Sequence, residues 1–158
     1  MVALLRRGQQ LLVSIERVGM PLAALLTRVV LGHAFVLTGL GKWRNFDRTV
    51  EFFASIGVPA AAANAAFVST LEIAGGIGLV LGLGTRLFAA LLSSTMVVAL
   101  LTADRSSFVG ALTGSGEQGL TDVAAFVFLL FLAWLFACGA GAFSADRLVA
   151  RRLQPAPG

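Results

Sequence analysis

Arg28 and Glu72 are the residues whose chemistry most constrains this chain, because each lies inside a long hydrophobic run, Met20–Gly41 and Ala60–Gly84. A charge near the middle of a membrane helix costs about 2.5–3.5 kcal/mol on insertion scales, so such a side chain is normally held by a partner or a polar cavity. Arg28 lies seven residues beyond Pro21 and Glu72 eleven before Leu83. With antiparallel spans this predicts depths of about 10 and 16 Å from a common boundary at 1.5 Å per residue. The expectation is a buried Arg28–Glu72 pair, the guanidinium fork gripping the carboxylate in bidentate fashion. His33 and Thr38 lie further along the first run, and Ser69, Thr70, Ser93, Ser94 and Thr95 could extend the polar core. Two readings stay open: a pair that fixes helix register, or a pair that with His33 lines a pocket for a polar head group, such as that of a quinone or lipid, or a proton path.

A second charged group sits at the far end of the first run. Lys42 and Arg44 follow Gly41, with Asp47 and Glu51 shortly after. They read either as interfacial anchors whose stems snorkel or as an outer basic rim that receives an anion such as a sulfur oxyanion. Trp43 beside them suits an interfacial aromatic belt.

The chemistry that is missing is equally informative. Cys138 is the sole cysteine, so a thiol–disulfide exchanger with a C-x-x-C pair is excluded within the chain, and Cys138 reads as a small packing residue. His33 is the sole histidine, which leaves haem or metal ligation without a second imidazole except at an oligomer interface. Glu72 alone in the membrane gives no acid/base dyad. No catalytic constellation and no metal site are expected. Gly114-Ser-Gly116-Glu-Gln-Gly119 matches G-x-G-x-x-G by letter but follows no strand.

The elements that must position these residues are set by composition. Of 158 residues 58% are hydrophobic and only 13% charged, with a mean hydropathy of +0.90, against roughly 25% charged residues in soluble domains. The chain is read as an all-α membrane protein, a four-helix transmembrane bundle forming a single domain over 1–158. Spans of about 20 apolar residues are expected at 21–41, 60–83, 87–103 and 122–141, with a loop over 104–121 and a tail over 142–158. Strands of alternating hydrophobicity are absent, so helices must satisfy the backbone.

Two short amphipathic elements flank the spans. Leu4, Leu5, Leu11, Leu12, Ile15 and Val18 recur at helical spacing and predict a surface-lying lead-in over 1–19 rather than a cleaved signal, for which the apolar patch is too short. Phe46, Val50, Phe53 and Ile56 share a helical face opposite Asp47, Arg48 and Glu51, which predicts an interfacial helix over 46–57, stopped by Gly57-Val-Pro59, as a lid over the outer mouth. Gly78-Leu-Val-Leu-Gly82, after Ala74, has the spacing of closely packed helices.

Orientation follows from the basic residues, which favour the cytoplasmic side. Seven lie in the N-terminal stretch, at Arg86 and in the tail; four lie in the first and third loops. Both termini are expected to be cytoplasmic. The net charge of +4 is scattered over loops and termini, so no nucleic-acid surface is expected.

The run Arg28-Val-Val-Leu-Gly32-His-Ala-Phe35, then Gly39-Leu-Gly41-Lys42, Gly57-Val-Pro59, Glu72-Ile-Ala-Gly75-Gly76, Leu81-Gly82-Leu-Gly-Thr85-Arg86 and Gly139-Ala-Gly141-Ala-Phe-Ser144-Ala-Asp146 resembles the DoxX family of small bacterial membrane proteins over about residues 20–148. That resemblance implies a four-helix protein of the bacterial inner membrane associated with redox systems, linked to quinone, sulfur and oxidative-stress chemistry. Its motif positions here are Arg28, Gly32, Gly39, Lys42, Glu72, Gly75, Gly76, Arg86 and Asp146. The chain departs from the pattern at Phe143 and Ala145, where the family has an aromatic hydroxyl and an aliphatic residue.

The functional expectation is an accessory membrane subunit of a redox assembly, with no cofactor held within the chain itself, quinone as the candidate ligand, and a redox protein, membrane lipid or a second copy as partners. A small proton or solute transporter and a membrane scaffold are the alternatives.

Overall fold

The computed structural model describes residues 2–141 and 144–146; for residues 2–17 it describes the backbone. The described residues form helices joined by turns and short loops, without strands, as the composition requires. Helix α1 spans Val2–Arg44, α2 Phe46–Ser55, α3 Ala61–Leu81, α4 Thr85–Leu101, α5 Arg105–Thr113 and α6 Ala124–Cys138, with a 3₁₀ turn at Leu120–Asp122 before α6. The long helices form a ring in which α1 packs on α3, α3 on α4, α4 on α6 and α6 on α1, while α2 lies against α1 and α3.

Val18–Arg44 and Ala61–Leu81 are each long and apolar enough to cross a bilayer, and α4 with α5 passes the same test as a pair bent by 78°. Helix α6, at 15 residues, reaches about 22 Å at 1.5 Å per residue, short of an ~30 Å hydrocarbon core.

The lead-in expected over 1–19 and the span over 21–41 lie on one continuous helix that passes through Pro21; the lead-in's side chains up to residue 17 lie outside the described residues, and Val18 is exposed. So does the tail over 142–158, apart from 144–146. The segment read as a loop over 104–121 contains α5, because Phe108 and Ala111 find a small second core of Leu100, Val123 and Ala125 to pack on. The main core is Leu31, Phe35, Leu71, Leu79, Ala89, Leu92, Leu132 and Leu135, with Phe35 edge-on to Phe128 at 5.4 Å.

Glycines set how closely the helices approach. Helices α1 and α3 meet where Gly32 and Gly76 face each other: a Cβ on Gly32 would stand 2.5 Å from the Gly76 carbonyl, and one on Gly76 2.6 Å from the Gly32 carbonyl. Gly39 similarly sits against α3, where a Cβ would stand 2.7 Å from the Ser69 carbonyl. Helices α3 and α4 are held together at Gly75 on Leu92 and at Gly78 on Phe88, which accounts for the Gly78–Gly82 spacing as packing inside the bundle. Helix α3 ends in a Schellman motif: Gly82 is left-handed (φ 69°), the Leu83 amide donates to Gly78 O at 2.9 Å and the Gly82 amide to Leu79 O at 3.1 Å.

Candidate functional site

The two glycine contacts fix the α1–α3 register, and the register decides which charges meet. Both contacts join residues whose numbers add to 108, so Glu72 is level with Val36, and Arg28 with Val80. At 1.5 Å per residue Arg28 is therefore about 12 Å from the level of Glu72, and Lys42 about 9 Å on the other side. Side-chain direction then settles the choice, because Cα–Cβ bonds tilt toward a helix's N-terminus. Lys42 leans toward the level of Glu72, Glu72 leans toward Lys42, and Arg28 leans away.

Accordingly Lys42 Nζ lies 2.5 Å from Glu72 Oε2, with 28% and 3% of the respective side chains exposed. The expected Arg28–Glu72 pair is corrected by this geometry. The depths predicted from Pro21 and Leu83 assumed that those residues share a boundary. The real register is displaced by four residues, about 6 Å, and the displacement separates the two charges.

Arg28 is instead fully buried at the opposite end of the α1–α3 pair, against Gly82, where any β-carbon would collide with its guanidinium. Asp146 supplies the negative charge that acts on it. That carboxylate also caps α4, whose N-cap Gly84 is left-handed. Its Oδ1 accepts from the Gly84 amide at 2.8 Å and its Oδ2 from the Thr85 amide at 3.3 Å, while the Asp146 amide donates to Gly82 O at 3.1 Å. A carboxylate at the positive end of a helix satisfies orphan amides and complements the dipole. Arg86, exposed on the first turn of α4, reaches Ala137 O at 3.4 Å. The chain's charged motif positions thus divide into two clusters, Arg28–Asp146–Arg86 at one end and Lys42–Glu72 at the other.

His33 joins neither cluster. It lies exposed on α1 among Val29, Val30 and Leu37, which are also exposed, so the expectation that it shares a polar core with Glu72 is corrected. The inward face at that level is taken by Leu31, Gly32 and Phe35. Arg44 is also exposed. No group of three or more His, Cys, Asp or Glu that could hold a metal occurs among the described residues.

Lys42 and Glu72 line a cavity of about 310 Å³, formed where α2, α3 and α4 come together. Phe52, Phe53 and Ile56 of the α2 segment cover it, Phe67 and Val68 of α3 and Met96, Val98 and Ala99 of α4 form apolar walls, and Asn64, Ser94, Thr95 and Thr102 add polar atoms. Helix α2 can serve as this cover because its apolar side chains recur at helical spacing: Phe46, Val50 and Phe53 are half-buried while Asp47, Arg48 and Glu51 face outward. Trp43 stacks on Phe46 at 5.1 Å where α1 passes into α2. Phe52, Phe67 and Val98 are lining residues that are also 48%, 60% and 52% exposed, so the cavity communicates with the outer surface of the helices. The pocket expected beside an Arg28–Glu72 pair lies instead beside the Lys42–Glu72 pair, at the end of the bundle that α2 covers. The signal that could have found the pairing is the alignment of Gly32 and Gly39 with Gly76 and Ser69.

Chemically, this is a small apolar chamber with one ion pair at its polar end, near the lower end of the ~300–1,000 Å³ typical of ligand sites. Because the lysine is neutralised by the carboxylate, an anion entering here would meet Glu72 as well as Lys42, which disfavours the basic-rim reading.

The family model for DoxX matches residues 23–105. Over 90 residues the chain is 33% identical to "Putative oxidoreductase CatD" of Bacillus subtilis (strain 168), covering 56% of this chain and 66% of that protein. Over 71 residues it is 34% identical to "Inner membrane protein YphA" of Escherichia coli (strain K12), covering 45% of this chain and 51% of that protein. The chain therefore spans about two-thirds and about half of these relatives. No solved structure matches it significantly.

Proposed function

The chain belongs to the DoxX family and is a membrane protein, and from that premise we propose that it is an accessory subunit of a redox assembly, which holds a lipid-soluble quinone in the chamber beneath α2. The observation that carries this reading is the Lys42–Glu72 pair set in an apolar chamber of about 310 Å³. Apolar walls suit a ring and the start of an isoprenoid tail, and the ion pair supplies polar groups for the ring oxygens. The exposed wall residues Phe52, Phe67 and Val98 give a ligand dissolved in the bilayer a lateral way in. The name of the relative CatD, a putative oxidoreductase, supports the redox association. The residues present fit such a head group, and when bound it would supply the electron-carrying chemistry that no side chain of the site provides.

We place the protein in the bacterial cytoplasmic membrane with both termini cytoplasmic. The excess of Lys and Arg at the termini and Arg86 supports this, as does the name of the inner-membrane relative YphA. In that orientation α2 covers the chamber at the outer surface.

The test is purification from native membranes followed by solvent extraction and absorbance spectroscopy. Quinone should co-purify in near-stoichiometric amount with the wild type and be lost from Ala99→Trp, which fills the chamber. Its absence from the wild type, or its retention in the filled variant, would overturn the proposal.

A further inference from the structure

The side chains around the chamber are unevenly supplied with hydrogen-bond donors and acceptors, and the imbalance bears on which redox form of a ligand is held. The Thr95 hydroxyl donates to Leu92 O at 2.8 Å, Ser94 to Leu91 O at 2.6 Å and Thr102 to Val98 O at 2.7 Å. Asn64 Nδ2 donates one of its two N–H groups to Pro59 O at 2.7 Å and keeps the other. Each hydroxyl has a single proton, already committed to the backbone, and can offer a ligand only its lone pairs. Lys42 commits one of its three N–H groups to Glu72 Oε2. That leaves Oε1 as the second oxygen of a carboxylate that is 3% exposed and lines the chamber.

From this accounting we propose that the site prefers the reduced, hydroxyl-bearing form of its ligand, a hydroquinone, over the oxidised quinone, with Glu72 Oε1 accepting the ring O–H and Lys42 Nζ donating to the same or a neighbouring ring oxygen. The proposal rests on the quinone reading above and adds to it the redox form bound. A quinone brings two carbonyl acceptors and no donor. It can use Lys42, but it would cover Glu72 Oε1 with a group that cannot bond it, and a desolvated carboxylate oxygen left without a donor is costly. A hydroquinone brings the missing donors, and a hydrogen bond to an ionised acceptor is among the stronger ones. The expected preference is roughly tenfold or more. For a two-electron couple a tenfold preference raises the midpoint potential of the bound form by about 30 mV.

The experiment uses the full chain in nanodiscs of quinone-free lipid and measures equilibrium binding of decyl-ubiquinone and of its reduced form kept anaerobic with dithionite. Wild type should bind the reduced form at least about tenfold more tightly, and in Glu72→Gln, whose amide can donate to a carbonyl, that ratio should fall to near unity. Phe53→Leu, a change in the apolar cover, should weaken both forms alike. Equal affinities in the wild type, tighter binding of the quinone, or a ratio unchanged in Glu72→Gln would each overturn this inference while leaving the chamber as a quinone site. Binding of neither form to the wild type would overturn the underlying functional reading, and this inference with it.

Discussion

The Lys42 ammonium lies 2.5 Å from the Glu72 carboxylate, and the two partners are unequally sheltered, with 28% of the lysine side chain exposed and 3% of the glutamate. Removing either partner strands the other, but the consequences differ. Without Lys42 the glutamate is left as an uncompensated buried charge, whereas without Glu72 the lysine can turn its ammonium outward along its flexible stem.

Lys42→Ala is therefore expected to destabilise the bundle by about 3 kcal/mol, and Glu72→Ala by about 1–2 kcal/mol. The double variant should recover part of the combined loss, with a coupling of about 1 kcal/mol or more. Unfolding in detergent micelles checks this, and strictly additive losses would count against the pair.

Arg28 and Glu72 share no such coupling. Their levels are separated by about 12 Å along the helix axis and they contact different elements. Arg28→Ala combined with Glu72→Ala should lose stability additively to within about 0.5 kcal/mol, while Arg28→Ala combined with Asp146→Ala should not. The same unfolding measurements, run as two double-mutant cycles, separate the cases.

At the other end of the bundle, Asp146→Ala removes the acceptor for the Gly84 and Thr85 amides and should cost about 1–2 kcal/mol. Asp146→Asn keeps one acceptor for the α4 terminus but withdraws the charge that faces Arg28, so its cost should fall between wild type and Ala. Hydrogen exchange of the first turn of α4 would register the loss of the cap directly.

Close approach of α1 and α3 makes Gly32 intolerant of a side chain, since a Cβ there meets the Gly76 carbonyl at 2.5 Å. Gly32→Val should destabilise by about 3 kcal/mol through forced separation of the helices. Gly41, with nothing within 4 Å of a Cβ, is the internal control: Gly41→Ala should be neutral or stabilise by up to about 1 kcal/mol, because it raises helix propensity without a clash. Thermal denaturation of both variants checks the contrast.

The sequence by itself determined the membrane class, the helical fold and the family, because those depend on properties that need no partner: apolar runs of spanning length, the absence of alternating segments, and motifs preserved in order along the chain. The spacing of Phe46, Val50 and Phe53 likewise marks the face of α2 that packs inward, since a helix presents every third or fourth residue on one side whatever surrounds it. What the tertiary structure alone decided was which charges face each other. The pairing of Glu72 with Lys42, the burial of Arg28 beside Gly82 and Asp146, and the outward position of His33 all follow from the α1–α3 register and from the rotation of each helix about its axis. Both are fixed by a few close glycine contacts rather than by span boundaries. A four-residue displacement, about 6 Å, is small against a span's length but larger than the reach of a salt bridge, so depth estimated from hydropathy cannot choose a partner where packing can.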